Sequence, residues 1–274
     1  MKFLRYGEPG REKPGILDGN GVLRDLSGQV DDLAGDVLAR LDSLTADGPV
    51  VEGNPRLGPP VAGTGKMVCI GLNYRDHAAE TGATPPPEPM IFMKATSAIC
   101  GPNDTIELPR GSTNTDWEVE LGIVIGKRAK YITEDQVMDH IAGFVAVNDV
   151  SEREYQKRRA GQFTKGKSCD TFGPIGPWLV TPDEIADPQK LGLRLMVNGE
   201  TRQDGNTADM IFGVAFSVAY LSQFMTLHPG DIIATGTPAG VGLGMDPPTF
   251  LKAGDEVVLE VDGLGQQRMI VAQG

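Results

Sequence analysis

The run Thr115-Asp116-Trp117-Glu118-Val119-Glu120-Leu121-Gly122-Ile123-Val124-Ile125 decides how the chain is read. Val, Leu and Ile dominate it, and the alternation at its start predicts a strand. On a strand, residues i and i+2 share a face. Glu118 and Glu120 then point the same way, with Cα atoms about 6.5–7 Å apart, while Trp117, Val119 and Leu121 pack on the other side. From Leu121 to Ile125 the run is apolar on both faces, as expected inside a sheet. Carboxylates entering such a sheet need a cation or hydrogen-bond donors. A second apolar run, Gly143 to Asn148, ends in Asp149, which is placed to supply a third ligand. Three carboxylates without His or Cys suit a hard divalent ion such as Mg2+, with Mn2+ equally compatible. A solvated strand face is the competing reading, and spacing alone leaves both open.

Composition narrows the function classes. The 274 residues carry 25 Lys and Arg against 37 Asp and Glu, a formal net charge of -12 with no basic stripe, which argues against a nucleic-acid partner. Cys69, Cys100 and Cys169 leave one thiol unpaired and show no CxxC spacing, as in a reduced, cytoplasmic protein. The start, Met1 to Gly7, has no apolar signal-peptide core. Met210 to Leu227 is apolar but interrupted by Gly213, Ser217, Ser222 and Gln223, so it predicts a buried helix and no membrane partner.

Residues 1–62 are expected to form a small α/β subdomain. It contains a strand near Lys2 to Tyr6, a hairpin at Asp18-Gly19-Asn20-Gly21, a helix from about Val30 to Leu44, and a Pro/Gly-rich linker from Asp47 onward. Residues 63–274 are expected to form the main unit. In it, Lys66 to Gly71 reads as a strand, followed by a segment in which His77 and Glu80, if helical, share one face. Such a pair is either a general base with its orienting carboxylate or an incidental surface contact. The stiff loop Thr81 to Pro89 beside it has the character of a lid. Lys94, ending the strand-like run from Met90, is a candidate contact for an anionic substrate. Arg153 and Gln156 share a helix face next to Asp149 and are candidates for the same role.

Gly161-Gln162-Phe163-Thr164-Lys165-Gly166-Lys167-Ser168 matches the G-x-x-x-x-G-K-[ST] pattern of a nucleotide-binding loop, but it follows a charged helix and precedes a Pro/Gly-rich turn, where that motif needs a strand before and a helix after. Nucleotide binding is therefore not expected. Asn198-Gly199 and Asp262-Gly263 signal two further hairpins. The stretch Gly230 to Gly242 reads as a strand ending in a Gly-rich loop with N–H groups suited to an anion.

Four blocks in order, Asp116-Trp117-Glu118-Val119-Glu120-Leu121, Val147-Asn148-Asp149-Val150-Ser151, Lys165 to Pro174 and Gly230 to Pro238, resemble the fumarylacetoacetate hydrolase family. The resemblance implies an α+β, β-rich mixed sandwich roll, a homodimer, and Mg2+ or a similar ion on Glu118, Glu120 and Asp149. It also implies that His77 and Glu80 activate water on a lid, that Lys167 stands beside the metal, and that Arg153, Gln156 and Thr237 contact substrate. Larger members place another metal-binding aspartate seven residues before the histidine; here that position is Ile70. Within the family the chain is most similar to the hydrolases of 2,4-didehydro-3-deoxy-L-rhamnonate or L-fuconate. This implies cleavage of a small anionic 2-oxo acid to pyruvate and a hydroxy acid. Oxaloacetate decarboxylase, acylpyruvate hydrolase, ureidoglycolate lyase and a non-catalytic ligand-binding role are the alternatives.

Overall fold

Alternation along Val119–Ile125 produces a strand that faces two cores. Val119, Leu121, Ile123 and Ile125 enter one, Val124 enters the other, and every residue of the strand is buried. Trp117, just before it, joins the first core. Gly122 lets the neighbouring strand approach, since a Cβ there would lie 2.6 and 2.7 Å from methyl groups of Val147 and Val145.

The computed structural model describes Met1 to Gly274. Val119–Ile125 sits in a ten-stranded sheet, antiparallel to Ile141–Asn148 on one side and Ile232–Ala234 on the other. Ile232–Ala234 runs parallel to Met67–Gly71, which pairs with Met90–Lys94 at the sheet edge. Because two parallel strands end on the same side, the segments that follow them, one beginning at Leu72 and the other at Thr235, emerge side by side. A five-stranded sheet, ordered Glu200–Asn206, Gly192–Val197, Glu256–Val261, Gly265–Gln273 and Ile106–Leu108, covers the first core. The hairpins at Asp18–Gly21, Asn198–Gly199 and Asp262–Gly263 all form where turn chemistry placed them. The result is the strand-rich α+β arrangement expected.

The chain before residue 63 belongs to the same sheet. Lys2 and Phe3 pair with Val180 and Leu179, and Leu57–Gly58 pairs with Arg5 and Tyr6. Phe3, Ile16, Leu33 and Leu38 share the second core with Val145, Val147 and Leu179. One expectation fails here: no α-helix spans Val30 to Leu44. That stretch holds two short 3-10 turns, Gly35–Ala39 and Leu41–Ser43. Gly35 adopts φ +51°, a left-handed conformation that stops a right-handed helix, yet Leu33, Leu38, Leu41 and Leu44 are all buried. Hydrophobic spacing served burial without helicity. The helix expected within Met210 to Leu227 is Val214–Phe224, and no helix is long and apolar enough to cross a membrane.

Candidate active site

The strand pairing stops at Trp117 and Glu118, between Thr115–Asp116 and Val119–Ile125. In place of a ladder bond, the Glu118 N–H donates to Asn148 Oδ1 at 3.1 Å, and its carbonyl accepts from Asp149 N at 2.9 Å. This exchange holds Glu118 and Asp149 side by side. Glu120, two residues on, projects toward the same point, and one carboxylate oxygen from each of Glu118, Glu120 and Asp149 lies within 4.8 Å of the others. All three residues are buried.

Positive groups surround this triad unevenly. Lys167 Nζ donates to Glu118 Oε2 at 2.5 Å and Asp149 Oδ2 at 2.7 Å. Lys94 Nζ reaches Asp149 Oδ1 at 2.5 Å and the carbonyl of Val150 at 3.0 Å. Arg153 Nη2 lies 2.7 Å from both Glu118 Oε1 and Asp116 Oδ2. Glu120 has no lysine or arginine partner; its carboxylate accepts from the Gly236 N–H at 2.9 Å. Burial opposes charge on Glu118, but Arg153 and Lys167 prevail and hold its carboxyl well below the usual range. Burial pushes Glu120 the other way, reinforced by the charges of Asp149 and Glu118. Lys167 is also desolvated, yet Asp149 and Glu118 keep it firmly protonated.

Lys167 lies in the short helix Thr164–Lys167 within the stretch that mimics a nucleotide-binding loop. Its ammonium is committed to two carboxylates, so that stretch serves the triad. Lys94 is placed differently from expectation: it lies behind Asp149, with none of its side chain exposed, and does not line the cavity. It neutralises Asp149 from the core side, whereas a substrate contact needs an open face.

Across the cavity stands the six-residue helix Arg75–Glu80. Its i, i+3 spacing brings His77 Nδ1 to 3.1 Å from Glu80 Oε2. A carboxylate at Nδ1 selects the tautomer protonated there and leaves the Nε2 lone pair free. Glu80 Oε1 accepts from the Gly240 N–H at 2.9 Å. His77 lines the same cavity as the triad, a space of about 220 Å³ also bounded by Ile70, Phe92, Arg153, Gln156, Phe163, Lys167, Gly236 and Thr237, among others. That size suits a small acid and is below the range of drug-sized ligand pockets. Arg153 Nη1 donates to Gln156 Oε1 at 3.1 Å, and Thr237 Oγ1 donates to the carbonyl of Val119 at 2.9 Å.

The Gly-rich loop binds anions, but they are the protein's own carboxylates. Gly236 N–H serves Glu120, Gly240 N–H serves Glu80, and the N–H groups of Gly242 and Leu243 serve Asp116 at 2.7 and 3.0 Å. Sequence reasoning missed three supporting residues. Asn73 ties the segment leading to His77 onto the carbonyls of Thr235 and Phe212. Gln203 joins the Val119 N–H to Thr237 Oγ1 and the carbonyl of Pro238. Asn148 holds Glu118. Each bridges segments distant in the chain, and no local pattern marks it.

The triad fits a hard divalent cation. Its donors are all oxygen, they converge, and one buried carboxylate lacks any countercharge. With such an ion bound the triad would polarise a chelating oxyacid, and His77 lines the same cavity.

Fold and site define a class: strand-rich, two-sheet proteins with a buried carboxylate triad facing a histidine–glutamate pair across a small cavity. The chain belongs to the fumarylacetoacetate hydrolase family, because residues 66–272 match the model described as fumarylacetoacetate (FAA) hydrolase C-terminal. A Burkholderia cenocepacia protein is 59% identical over 97% of both chains; its name gives the provisional class hydrolase and no substrate. A fumarylacetoacetate hydrolase of psychrophilic Exiguobacterium antarcticum superposes with TM-score 0.89 at 36% identity, covering all of both chains. A 5-carboxymethyl-2-hydroxymuconate delta-isomerase of Mycobacterium smegmatis gives TM-score 0.82 at 33% identity, over 100% of this chain and 99% of its own.

Proposed function

We propose that the protein is a Mg2+-dependent hydrolase that cleaves the C3–C4 bond of a 2,4-dioxo-3-deoxy sugar acid, giving pyruvate and a hydroxy acid such as lactate. The observation that carries the proposal is the His77–Glu80 pair, bonded at 3.1 Å, on the wall of the cavity that holds Glu118, Glu120 and Asp149. Glu118, Glu120 and Asp149 would hold the ion, which when bound supplies Lewis-acid polarisation of the 2-oxo carboxylate. His77 Nε2 takes a proton from water as the water oxygen bonds to C4, and Glu80 stabilises the resulting imidazolium. The C3–C4 bond then breaks, its electron pair stays on C3, and the proton held by His77 returns there to complete pyruvate. Lys167 and Arg153 present positive charge to the developing negative charge, and Gln156 and Thr237 orient the acid. Ile70, Phe92 and Phe163 restrict bulk water.

The sugar-acid tail rests on the general similarity of the sequence to that branch of the family, and not on any single residue. Pyruvate release from 5-hydroxy-2,4-dioxohexanoate, measured with and without Mg2+ by a coupled dehydrogenase assay, tests it. Much faster release of carbon dioxide from oxaloacetate would replace the hydrolase with a decarboxylase. A second reading, proton transfer on a muconate-type diacid, is favoured by the Mycobacterium smegmatis neighbour. It would change substrate absorbance without releasing pyruvate.

A further inference from the structure

Asp116 is fully buried, yet it touches neither the cavity nor the point where the triad converges. Its carboxylate accepts four hydrogen bonds: from Trp117 N at 2.9 Å, Gly242 N at 2.7 Å, Leu243 N at 3.0 Å and Arg153 Nε at 2.7 Å. Two of these donors belong to a loop that has no ladder of its own. Gly240 donates its N–H to Glu80 Oε1, and its carbonyl accepts from Trp117 Nε1 at 3.1 Å. Gly244 lies against the same side chain: a Cβ there would stand 2.4 Å from Glu80 Cδ. Glu80 is thus clamped, with Oε2 on His77, Oε1 on Gly240 and its stem on Gly244.

We propose that Asp116 is a positioning residue for the His77–Glu80 pair, acting through the backbone of Gly240 to Gly244. The proposal rests on the reading of His77 as the base. A glutamate side chain has three rotatable torsions, and one histidine contact does not select a single arrangement of them. The N–H at Gly240 selects one, and its position is set jointly by Trp117 Nε1 on the Gly240 carbonyl and by Asp116 holding the N–H groups of Gly242 and Leu243 just beyond. The same carboxylate also accepts from Arg153 Nε, but Arg153 keeps Glu118 and Gln156 as further partners, so that wall does not depend on Asp116 alone.

The test uses the full-length protein with Mg2+ in three forms: Asp116→Asn, Gly244→Ala, and the two combined. Oxalate, a chelating acid, serves as the binding probe, and amide exchange of Thr81 to Ala83 reports how firmly the helix Arg75–Glu80 is seated. Each single variant should lower kcat by about a hundredfold, the usual cost of a small misplacement. Oxalate affinity should stay within about threefold, because it draws on the triad and not on the pair. Exchange in the oxalate complex should quicken roughly tenfold or more. The double variant should be no worse than the poorer single one, since both act through Glu80. Loss of oxalate binding with unchanged exchange would overturn the proposal and assign Asp116 to Arg153 alone; losses that multiply in the double variant would also overturn it. If Asp116→Asn does not fold, Asp116→Glu, which keeps the charge but not the reach to Gly242 and Leu243, takes its place, and unchanged kcat and exchange in it would sink the proposal. The exchange measurement needs no substrate. It still discriminates if no 2,4-dioxo acid is turned over, which separates failure of this inference from failure of the proposed reaction.

Discussion

Glu120→Gln is the substitution whose outcome the site geometry specifies most fully. Four buried carboxylates, Asp116, Glu118, Glu120 and Asp149, share three buried cations, Lys94, Arg153 and Lys167, and Glu120 is the one left with only a backbone N–H. Without metal, the folded protein must either bury that charge or take up a proton. The second route caps the penalty. Burial, Asp149 and Glu118 raise the Glu120 carboxyl well above its ordinary value of 4.5, and neutralising it at pH 7 costs at most about 3.4 kcal/mol, the 2.5 pH units between those values at about 1.36 kcal/mol each. Glutamine keeps the acceptor for Gly236 N–H without the charge. In EDTA at pH 7 it should therefore stabilise the protein by up to about 3 kcal/mol, or roughly 5 °C in Tm for a chain of this size. The sign with pH follows from the raised value: the folded state holds the proton longer than the unfolded state. The wild-type protein loses stability relative to the variant as pH rises above about 4.5, and the gap closes below it. Mg2+ at a hundred times its Kd should restore about 2.7 kcal/mol to the wild type and much less to the variant, so the order of the two Tm values should narrow or invert. Calorimetric scans at pH 4.5, 6 and 7, in EDTA and in Mg2+, check this. A Glu120→Gln protein less stable than wild type in EDTA at pH 7, or an equal Mg2+ shift in both, would refute the reasoning.

Replacing Glu118 or Asp149 with Ala should abolish Mg2+ binding in titration calorimetry; unchanged binding in both variants removes the metal assignment. His77→Ala should lower kcat by about 10²- to 10⁴-fold, the range for a lost general base, while oxalate binding changes little; equal losses in both would make His77 a binding residue. Lys167→Met removes the cation shared by Glu118 and Asp149 while Arg153 and Lys94 remain on them, and should cost about 1.5–3 kcal/mol in denaturant titrations without metal, the range for hydrogen bonds to charged groups; a cost below about 1 kcal/mol would show that the ammonium contributes little there.

The parts of the fold set by neighbouring residues were legible in the sequence. Alternation placed Trp117, Val119 and Leu121 in one core with Glu118 and Glu120 opposite, and Asn198-Gly199 marked its hairpin because a two-residue turn needs that chemistry. The i, i+3 spacing of His77 and Glu80 needed only a short helix to bring them together. Legibility failed where the deciding partner lies far along the chain. Lys94 looked available because nothing near it reveals that Asp149 and Val150 take its ammonium. The loop from Gly236 looked like a cradle for an outside anion, because its N–H groups were countable but the glutamates and aspartate that occupy them were not. Asp116 was visible only as the first residue of a motif, since its role depends on a loop 126 residues later. The helix expected from Val30 to Leu44 is absent although its leucines are buried, and the left-handed Gly35 interrupts that stretch.

The pairing of Lys2 and Phe3 with Val180 and Leu179 has a consequence for synthesis on the ribosome. At ordinary elongation rates the first strand waits roughly 10–35 s for its partner to be made. An unpaired strand edge invites association between nascent chains. This one is guarded early on: the hairpin partner Lys13–Leu17 covers one side, and Leu57–Gly58 caps Arg5 and Tyr6 on the other, leaving Lys2, Phe3 and Leu4 open, one of them a lysine. Lys2 and Phe3 find their partners only when Val180 and Leu179 have been made.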